Sequence, residues 1–209
     1  VKNSRNGMEE KRINDIGMMR RSQLTKATYK VVSRKGYYNF TIKDIAKEAG
    51  LSAGLVHYYF KDKQDLLLNL LKEMNQNIRD YLNREFENCT TPLDRLMAYI
   101  DQAFGLVEKE KEYFYVLIDF WTQVNHNNRM RAANIKLFKS YRDECAAILR
   151  EGVEEGNFID MDVMYTATLI ISLIQGTIIQ YIIDNGAFDY QRYAQRTKEQ
   201  IVKMILKQQ

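Results

Sequence analysis

Proline and glycine are scarce in this chain of 209 residues, which contains one proline and 10 glycines. Alternating strand patterns and tight hairpin turns are nearly absent, which argues against a β-sheet protein. Long segments with apolar residues at helical spacing, separated by short breaks, dominate instead. The chain is therefore predicted to be all-α.

Cysteine is equally rare, since the chain has only Cys89 and Cys145. Two cysteines do not make a disulfide framework, and no secretory leader is visible, so we expect unpaired thiols in a reducing cytoplasm. A Gly-rich phosphate loop, a nucleophile elbow and a zinc-ligand cluster are also missing. The sequence thus predicts neither an enzyme nor a cofactor or metal site.

The positive charge is concentrated in the N-terminal third. Residues 1–63 contain 14 Lys/Arg and 6 Asp/Glu, a net charge of +8, whereas residues 64–209 have a net charge of −4. A basic module joined to a mildly acidic body is typical of a protein that binds a polyanion with one part only. The distribution predicts a nucleic-acid-binding module at the N-terminal end.

This basic third contains a predicted helix-turn-helix at about 41–60. Residues 1–19 are interpreted as a flexible basic arm, followed by a first helix over about 20–35. Thr41 and Asp44 fit a capping box that begins a second helix. Gly50 ends this helix, and Ser52 caps a short third helix two residues later.

The third helix has a composition suited to DNA. Ser52, Ala53 and Gly54 let its first turn approach a phosphate, where the free amides and the helix dipole are favourable. His57 and Tyr58 are expected to project toward a duplex one turn later, as the second helix of such a motif does in the major groove. From the starts of neighbouring helices, Thr41 and Lys63 are expected to contact the sugar-phosphate backbone.

Several blocks with characteristic spacing extend this pattern. They are Gly36-Tyr37, TIKDIA (41–46), AGLS (49–52), Gly54, YFKDK (59–63) and DLL (65–67). With these blocks, residues 20–67 resemble the N-terminal DNA-binding domain of the TetR family of bacterial transcriptional regulators.

The resemblance implies an all-α homodimer, with an N-terminal three-helix helix-turn-helix domain and a C-terminal helical ligand-binding and dimerisation bundle. Such proteins are mostly repressors that a small molecule releases from a palindromic operator. Two positions depart from the family pattern. Family members often have a lysine or arginine at the position of Ala53 and a tyrosine at the position of His57. The implied DNA contacts are Thr41, Ser52, Ala53, Gly54, Leu55, His57, Tyr58 and Lys63.

The body, residues 68–209, gives weaker signals. Residues 163–183 carry no charge, a length that fits either a bilayer span or a buried helix. The threonines, serine and glutamines within it argue against a bilayer span, so we expect no membrane insertion. We assign this helix to a dimer interface. The predicted interface residues are Ile171, Ile174, Ile178, Ile182 and Tyr193.

An aromatic segment, EYFYVLIDFWTQVNH (112–126), suggests a ligand pocket, although plain core packing is the alternative interpretation. Bundles of this size do hold ligand cavities, here for a hydrophobic or aromatic effector. Asp119 and Glu112 are interpreted as solvated side chains. The candidate lining residues are Phe104, Phe114, Ile118, Trp121 and Tyr141.

Together these features predict a cytoplasmic, ligand-responsive, homodimeric repressor whose partners are double-stranded DNA, a second copy of the chain and a small effector. The alternative is a helical interaction module of the same fold that no longer binds DNA. Salt dependence distinguishes the two, because only DNA binding releases condensed counterions.

Overall fold

The computed structural model describes the backbone of residues 2–206 and the side chains of residues 15–206. Within that backbone range the chain forms nine α-helices and no strand, which confirms the predicted all-α class. The helices are α1 (Lys2–Lys35), α2 (Ile42–Ala49), α3 (Ala53–Tyr59), α4 (Lys63–Phe86), α5 (Pro92–Lys109), α6 (Lys111–Thr122), α7 (Asn128–Glu154), α8 (Val163–Ile183) and α9 (Tyr190–Ile205).

The first helix is longer than predicted, because α1 begins at Lys2 and not near residue 20. The sequence predicted a flexible arm over 1–19, and the backbone from residue 2 onward is helical. That segment contains no proline and is rich in Lys, Arg, Glu and Met, which are good helix formers. Extending an existing helix costs far less free energy than nucleating one, so no apolar stripe is needed. The basic side chains of the predicted arm belong to residues 1–14, which lie outside the described side chains.

Local capping determines where α2 and α3 begin and end. The Thr41 side chain accepts a hydrogen bond from the Asp44 backbone N–H, and the Asp44 side chain accepts one from the Thr41 N–H, as predicted. Gly50 ends α2 with φ of 65°, a left-handed conformation that favours glycine. Ser52 then caps α3 through the Leu55 N–H at 3.2 Å. Two caps and one glycine thus define the turn between the two helices.

The chain divides into two compact units. The N-terminal unit contains residues up to Met74 together with 115–133, and the C-terminal unit contains 75–114 and residues from Asn134 onward. This division differs from the boundary predicted at residue 67. Residues 115–133, at the end of α6 and the start of α7, belong to the N-terminal unit because they form hydrogen bonds with its loops, described below.

Each unit has its own apolar core. In the N-terminal unit Leu24, Ile45 and Val56 of the first three helices are fully buried. In the C-terminal unit α8 packs against both α5 and α9, with Ile170 at 0 % exposure. At the end of α7 the ring of Phe158 occupies the space where Gly152 would carry a side chain, 2.1 Å from an ideal Cβ position. A side chain at 152 would therefore displace Phe158 from the core.

The structure changes the interpretation of α8. Ile171, Ile174 and Ile178, which were predicted to form a dimer interface, are only 3–7 % exposed and pack inside the C-terminal unit. They occupy the inner face of α8, because their i, i+3, i+7 spacing follows that of buried Ala167 and Ile170. Of the other two predicted interface residues, Ile182 is half-buried and Tyr193 is exposed.

The opposite face of α8 is uncharged and exposed. It includes Tyr165, Thr168, Ser172 and Ile183, with half-buried Gly176 between them. By length and composition alone α8 would also pass as a membrane span, with a mean hydropathy of 1.6, but soluble core helices pass the same test. A free uncharged face beside a buried one is instead what a helix at a protein interface presents.

Candidate nucleic-acid interface

Helix α2 separates its charges onto two faces. Its acidic residues face α1, where Asp44 pairs with Lys35 at 2.7 Å and Glu48 pairs with Arg34 at 2.5 Å. The hydrogen bond from Lys35, followed by those from Thr41, lowers the pKa of Asp44 to about 2. These acidic side chains are therefore neutralised by α1.

The remaining face of α2 is basic. Lys43 and Lys47 are exposed and lie one turn apart, roughly opposite buried Ile45 and Ala46. Sequence analysis missed these two lysines as candidate DNA contacts. Their i, i+4 spacing on the side away from the apolar stripe was the available signal.

Helix α3 presents the predicted recognition residues to solvent. Gly54, His57 and Tyr58 are exposed, with 78 % of Tyr58 accessible and its ring held edge-on against Tyr59 at 5.0 Å. Val56 is completely buried and anchors the helix. Ser52 is exposed, while Ala53 and Leu55 are half-buried.

Among the side chains that the structure describes, none requires glycine at position 54. An ideal Cβ there would meet only the Ser52 hydroxyl oxygen, at 3.9 Å, and its φ lies outside the left-handed region. The missing side chain therefore leaves space on the outer side of α3. That space is what close approach of another molecule would need.

The contacts of the Lys63 side chain differ from those expected. Its ammonium group donates to the backbone carbonyls of Tyr38 at 3.0 Å and Phe40 at 3.1 Å, and lies 3.9 Å from the centroid of the Phe40 ring. Partial burial lowers the pKa of Lys63. Lys63 therefore fixes the loop between α1 and α2, a role that sequence analysis missed because the two segments are distant in sequence. Thr41 is likewise engaged within its capping box, although it remains exposed.

The candidate ligand residues are divided between the units. Phe104, Phe114 and Tyr141 belong to the C-terminal unit, whereas Ile118 and Trp121 belong to the N-terminal unit. Phe104 packs edge-on against Tyr190, whose hydroxyl donates to the Phe104 carbonyl at 2.9 Å, so Phe104 is a core residue of its unit. Phe114 is buried; Tyr141, Ile118 and Trp121 are half-buried. The pocket assignment stays a prediction.

The C-terminal unit also contains a polar cluster, made of Tyr99, Tyr113, Tyr141, Arg79 and Glu144. Tyr99 donates to the Tyr141 carbonyl at 3.1 Å, and Arg79 pairs with Glu144 at 2.9 Å. Burial raises the pKa of Tyr141 to about 12 and also raises that of Glu144. Polar groups that converge inside an apolar helical unit are characteristic of ligand sites. Sequence analysis missed this cluster because its members come from four helices.

Comparison with protein families agrees with this geometry. The family profile described as "Bacterial regulatory proteins, tetR family" matches residues 24–70, and the profile described as "BetI-type transcriptional repressor, C-terminal" matches residues 92–206. The second match covers more than half of the chain. The chain belongs to the TetR family of bacterial regulatory proteins.

Curated relatives are regulators as well. The Fatty acid metabolism regulator protein of Bacillus subtilis is 25% identical over 187 residues, which are 88% of this chain and 94% of the relative. The HTH-type transcriptional regulator BetI of Cronobacter sakazakii is 30% identical over 138 residues, which are 62% of this chain and 68% of the relative. The protein is thus a DNA-binding transcriptional regulator of the TetR type, not an enzyme.

Solved structures share the fold. A transcriptional regulator from Saccharomonospora viridis in complex with choline has a TM-score of 0.82 at 24% identity, covering 91% of this chain and 100% of the other. FadR from Bacillus subtilis in complex with stearoyl-CoA has a TM-score of 0.73 at 25% identity, covering 87% and 97%. These two relatives bind chemically very different small molecules.

Proposed function

We propose that this protein is a cytoplasmic, homodimeric repressor that binds a palindromic operator and is released from it by a small-molecule inducer. The observation that carries the proposal is the uncovered outer surface of α2 and α3. There Lys43, Lys47, Gly54, His57 and Tyr58 are exposed, while the acidic residues of α2 face α1.

On DNA, the first turn of α3 lies in the major groove. Ser52 and the free amides of that turn bind a phosphate, and His57 and Tyr58 contact base edges or thymine methyl groups. Lys43 and Lys47 contact phosphates from α2. Ala53 and Leu55 are close enough to the groove for apolar contacts, and Thr41 contacts the sugar-phosphate backbone.

The homodimer forms through the outer face of α8. Tyr165, Ser172, Gly176 and Ile183 lie along this face, and among the described residues no atom outside the local α8 backbone lies within 4 Å of the position that a Gly176 Cβ would occupy. Small residues along an uncharged helix face allow a second copy of the helix to pack closely. A two-fold axis there would place two copies of α3 on the half-sites of a palindrome.

The inducer binds in the C-terminal unit, next to the polar cluster. Complexes of fold relatives with choline and with stearoyl-CoA support a small-molecule site in this type of domain. The hydroxyl groups of Tyr99 and Tyr113 and the carboxylate of Glu144 suit a ligand with an apolar body and a polar or cationic group. An inducer that binds more tightly to a dimer conformation incompatible with the operator shifts the population of the protein away from the DNA-bound state.

The test is selection of bound sequences from a random double-stranded DNA pool at two salt concentrations. We expect a palindromic motif that is lost steeply as salt increases, and weaker enrichment of the same motif with Tyr58→Ala. Absence of any motif, with protein refolded to remove a bound ligand, would favour the interaction-module alternative. The selected duplex then reports release by choline or by stearoyl-CoA as trial inducers.

A further inference from the structure

The connection between α6 and α7 forms hydrogen bonds with the loop between α1 and α2. We call residues 119–129 the α6–α7 junction. The carboxylate of Asp119, through Oδ2, accepts a hydrogen bond of 2.9 Å from the backbone N–H of Tyr37. Tyr37 follows Gly36, which ends α1 with φ of 74°. Asp119 is therefore not the solvated side chain expected from the sequence but the acceptor for the Tyr37 amide, two residues beyond α1.

A second residue of the junction binds the same loop. Gln123 is only 4 % exposed, and its Nε2 donates to the hydroxyl of Tyr38 at 2.5 Å. Tyr38 is 67 % exposed, and this hydrogen bond and the edge-on contact with the Tyr37 ring at 5.1 Å hold its side chain. The Tyr38 and Phe40 carbonyls accept from Lys63, as described above. Tyr37, Tyr38 and Phe40 of the loop are thus held by side chains from elsewhere in the unit.

The far end of the junction binds the segment between α3 and α4. Asn127 accepts a hydrogen bond from Gln64, and its Oδ1 also accepts from the Met130 N–H at 3.0 Å, which caps α7. Arg129 lies 3.5 Å from an Asp62 oxygen and 3.7 Å from an Asp65 oxygen. The junction consequently contacts the segments immediately before α2 and immediately after α3.

We propose that the α6–α7 junction positions the helix-turn-helix for operator binding, with Asp119 and Gln123 as the main positioning residues. Residues 37–40 lie outside the regular helices, so the course of the α1–α2 loop depends on such side-chain contacts. Thr41, which begins α2, directly follows that loop. Removing Asp119 changes DNA affinity without removing any group that touches DNA. The inference rests on the proposed function.

The first arm of the test uses the free protein. In Asp119→Ala, the Tyr37 amide loses its charged acceptor and should exchange its hydrogen at least about tenfold faster than in the wild type, as expected for a lost hydrogen bond to a charged group. Glu112→Ala is the matched control, because it removes an exposed carboxylate from the same helix. Unchanged exchange at Tyr37 in Asp119→Ala would overturn the assignment.

The second arm measures affinity for the selected operator duplex at a temperature where circular dichroism shows every variant fully folded. Asp119→Ala and Gln123→Leu should each weaken binding by about tenfold. Asp119→Asn retains an acceptor oxygen and should restore most of the affinity. Normal affinity in both Asp119→Ala and Gln123→Leu would overturn the positioning role, and so would a loss of the same size in Glu112→Ala.

The two arms separate this inference from the proposed function. If the wild type binds no DNA, the proposed function fails, while amide exchange at Tyr37 still reports whether the junction holds the loop. If Asp119→Ala does not fold, the smaller change Gln123→Leu carries the affinity measurement. Loss of operator binding with intact folding in Gln123→Leu would support the positioning role.

Discussion

Helices α3 and α8 both expose one face, and the two faces differ in chemistry. The outer face of α3 carries a serine, a glycine, a histidine and a tyrosine, and the neighbouring helix adds two lysines. The outer face of α8 is uncharged and includes a glycine and two exposed hydrophobic residues, Tyr165 and Ile183. A polar, basic face suits a phosphate backbone, whereas an uncharged face suits a second protein surface. The difference supports the proposal that the two helices have separate partners.

The largest effect should come from the inner face of α8. Ile170→Ala should lower the free energy of unfolding by about 2–5 kcal/mol, because Ile170 is completely buried and the cavity left behind closes only in part. Chemical denaturation measures this loss.

Ser172→Arg, two residues further along, tests the outer face of the same helix. Ser172 is exposed, so the arginine should leave the protomer folded but weaken self-association, which sedimentation measures. A monomeric but folded Ser172→Arg supports the outer face as the dimer interface. A dimer of normal strength would place the interface elsewhere.

The outer face of α3 should give the next largest effect. Tyr58→Ala should weaken operator binding by roughly tenfold to a hundredfold, the range for losing one base contact. The stability of the Tyr58→Ala variant should differ little from that of the wild type, because 78 % of Tyr58 is exposed. Tyr115→Ala is the control, since Tyr115 is another exposed tyrosine of the N-terminal unit. Equal affinities of the two variants would remove Tyr58 from the DNA contacts.

The sequence predicted the N-terminal helices well because their signals are local. The Thr41 capping box, the left-handed Gly50 and the Ser52 cap each depend on residues within four positions. The start of α5 is equally local, because it depends on the Thr91 capping box and on Pro92 at the first turn.

Features that depend on distant residues were missed or misplaced. The apolar pattern of residues 163–183 predicted a helix, but it did not reveal which isoleucines α5 and α9 would cover. The roles of Lys63 and Asp119 depend on carbonyl and amide groups 23 to 82 positions away. No local pattern contains such pairings.

A smaller effect concerns the acidic face of α2. Because the pKa of Asp44 is lowered from 3.8 to about 2 in the folded protein, its ionised form stabilises the fold above pH 3.8. That stabilisation is lost as the pH falls toward 2. We expect Asp44→Asn to be less stable than the wild type at pH 7 and the difference to shrink below pH 4. Urea denaturation across this pH range measures it.

Asp160→Asn is the control for this pH dependence, because Asp160 is an exposed aspartate outside any described ion pair. Its stability difference from the wild type should stay small at every pH. If Asp44→Asn behaves in the same way, the pairing with Lys35 and Thr41 does not stabilise α2.

The smallest effect concerns the lysines around α2. It is also the effect that most sharpens the contrast between the exposed helix faces. Lys47 is exposed on the outer face, whereas Lys30 lies on α1 and pairs with Glu48 at 3.8 Å. Both substitutions to alanine remove one positive charge from the same unit, so the general electrostatic field changes equally. If Lys47 contacts a phosphate, Lys47→Ala should reduce the salt slope of operator binding by about one for each protomer, and Lys30→Ala should leave it nearly unchanged. Binding titrations at several salt concentrations measure the slope. Equal slopes for the two variants would mean that only net charge matters, and the basic face of α2 would then not be a docking surface.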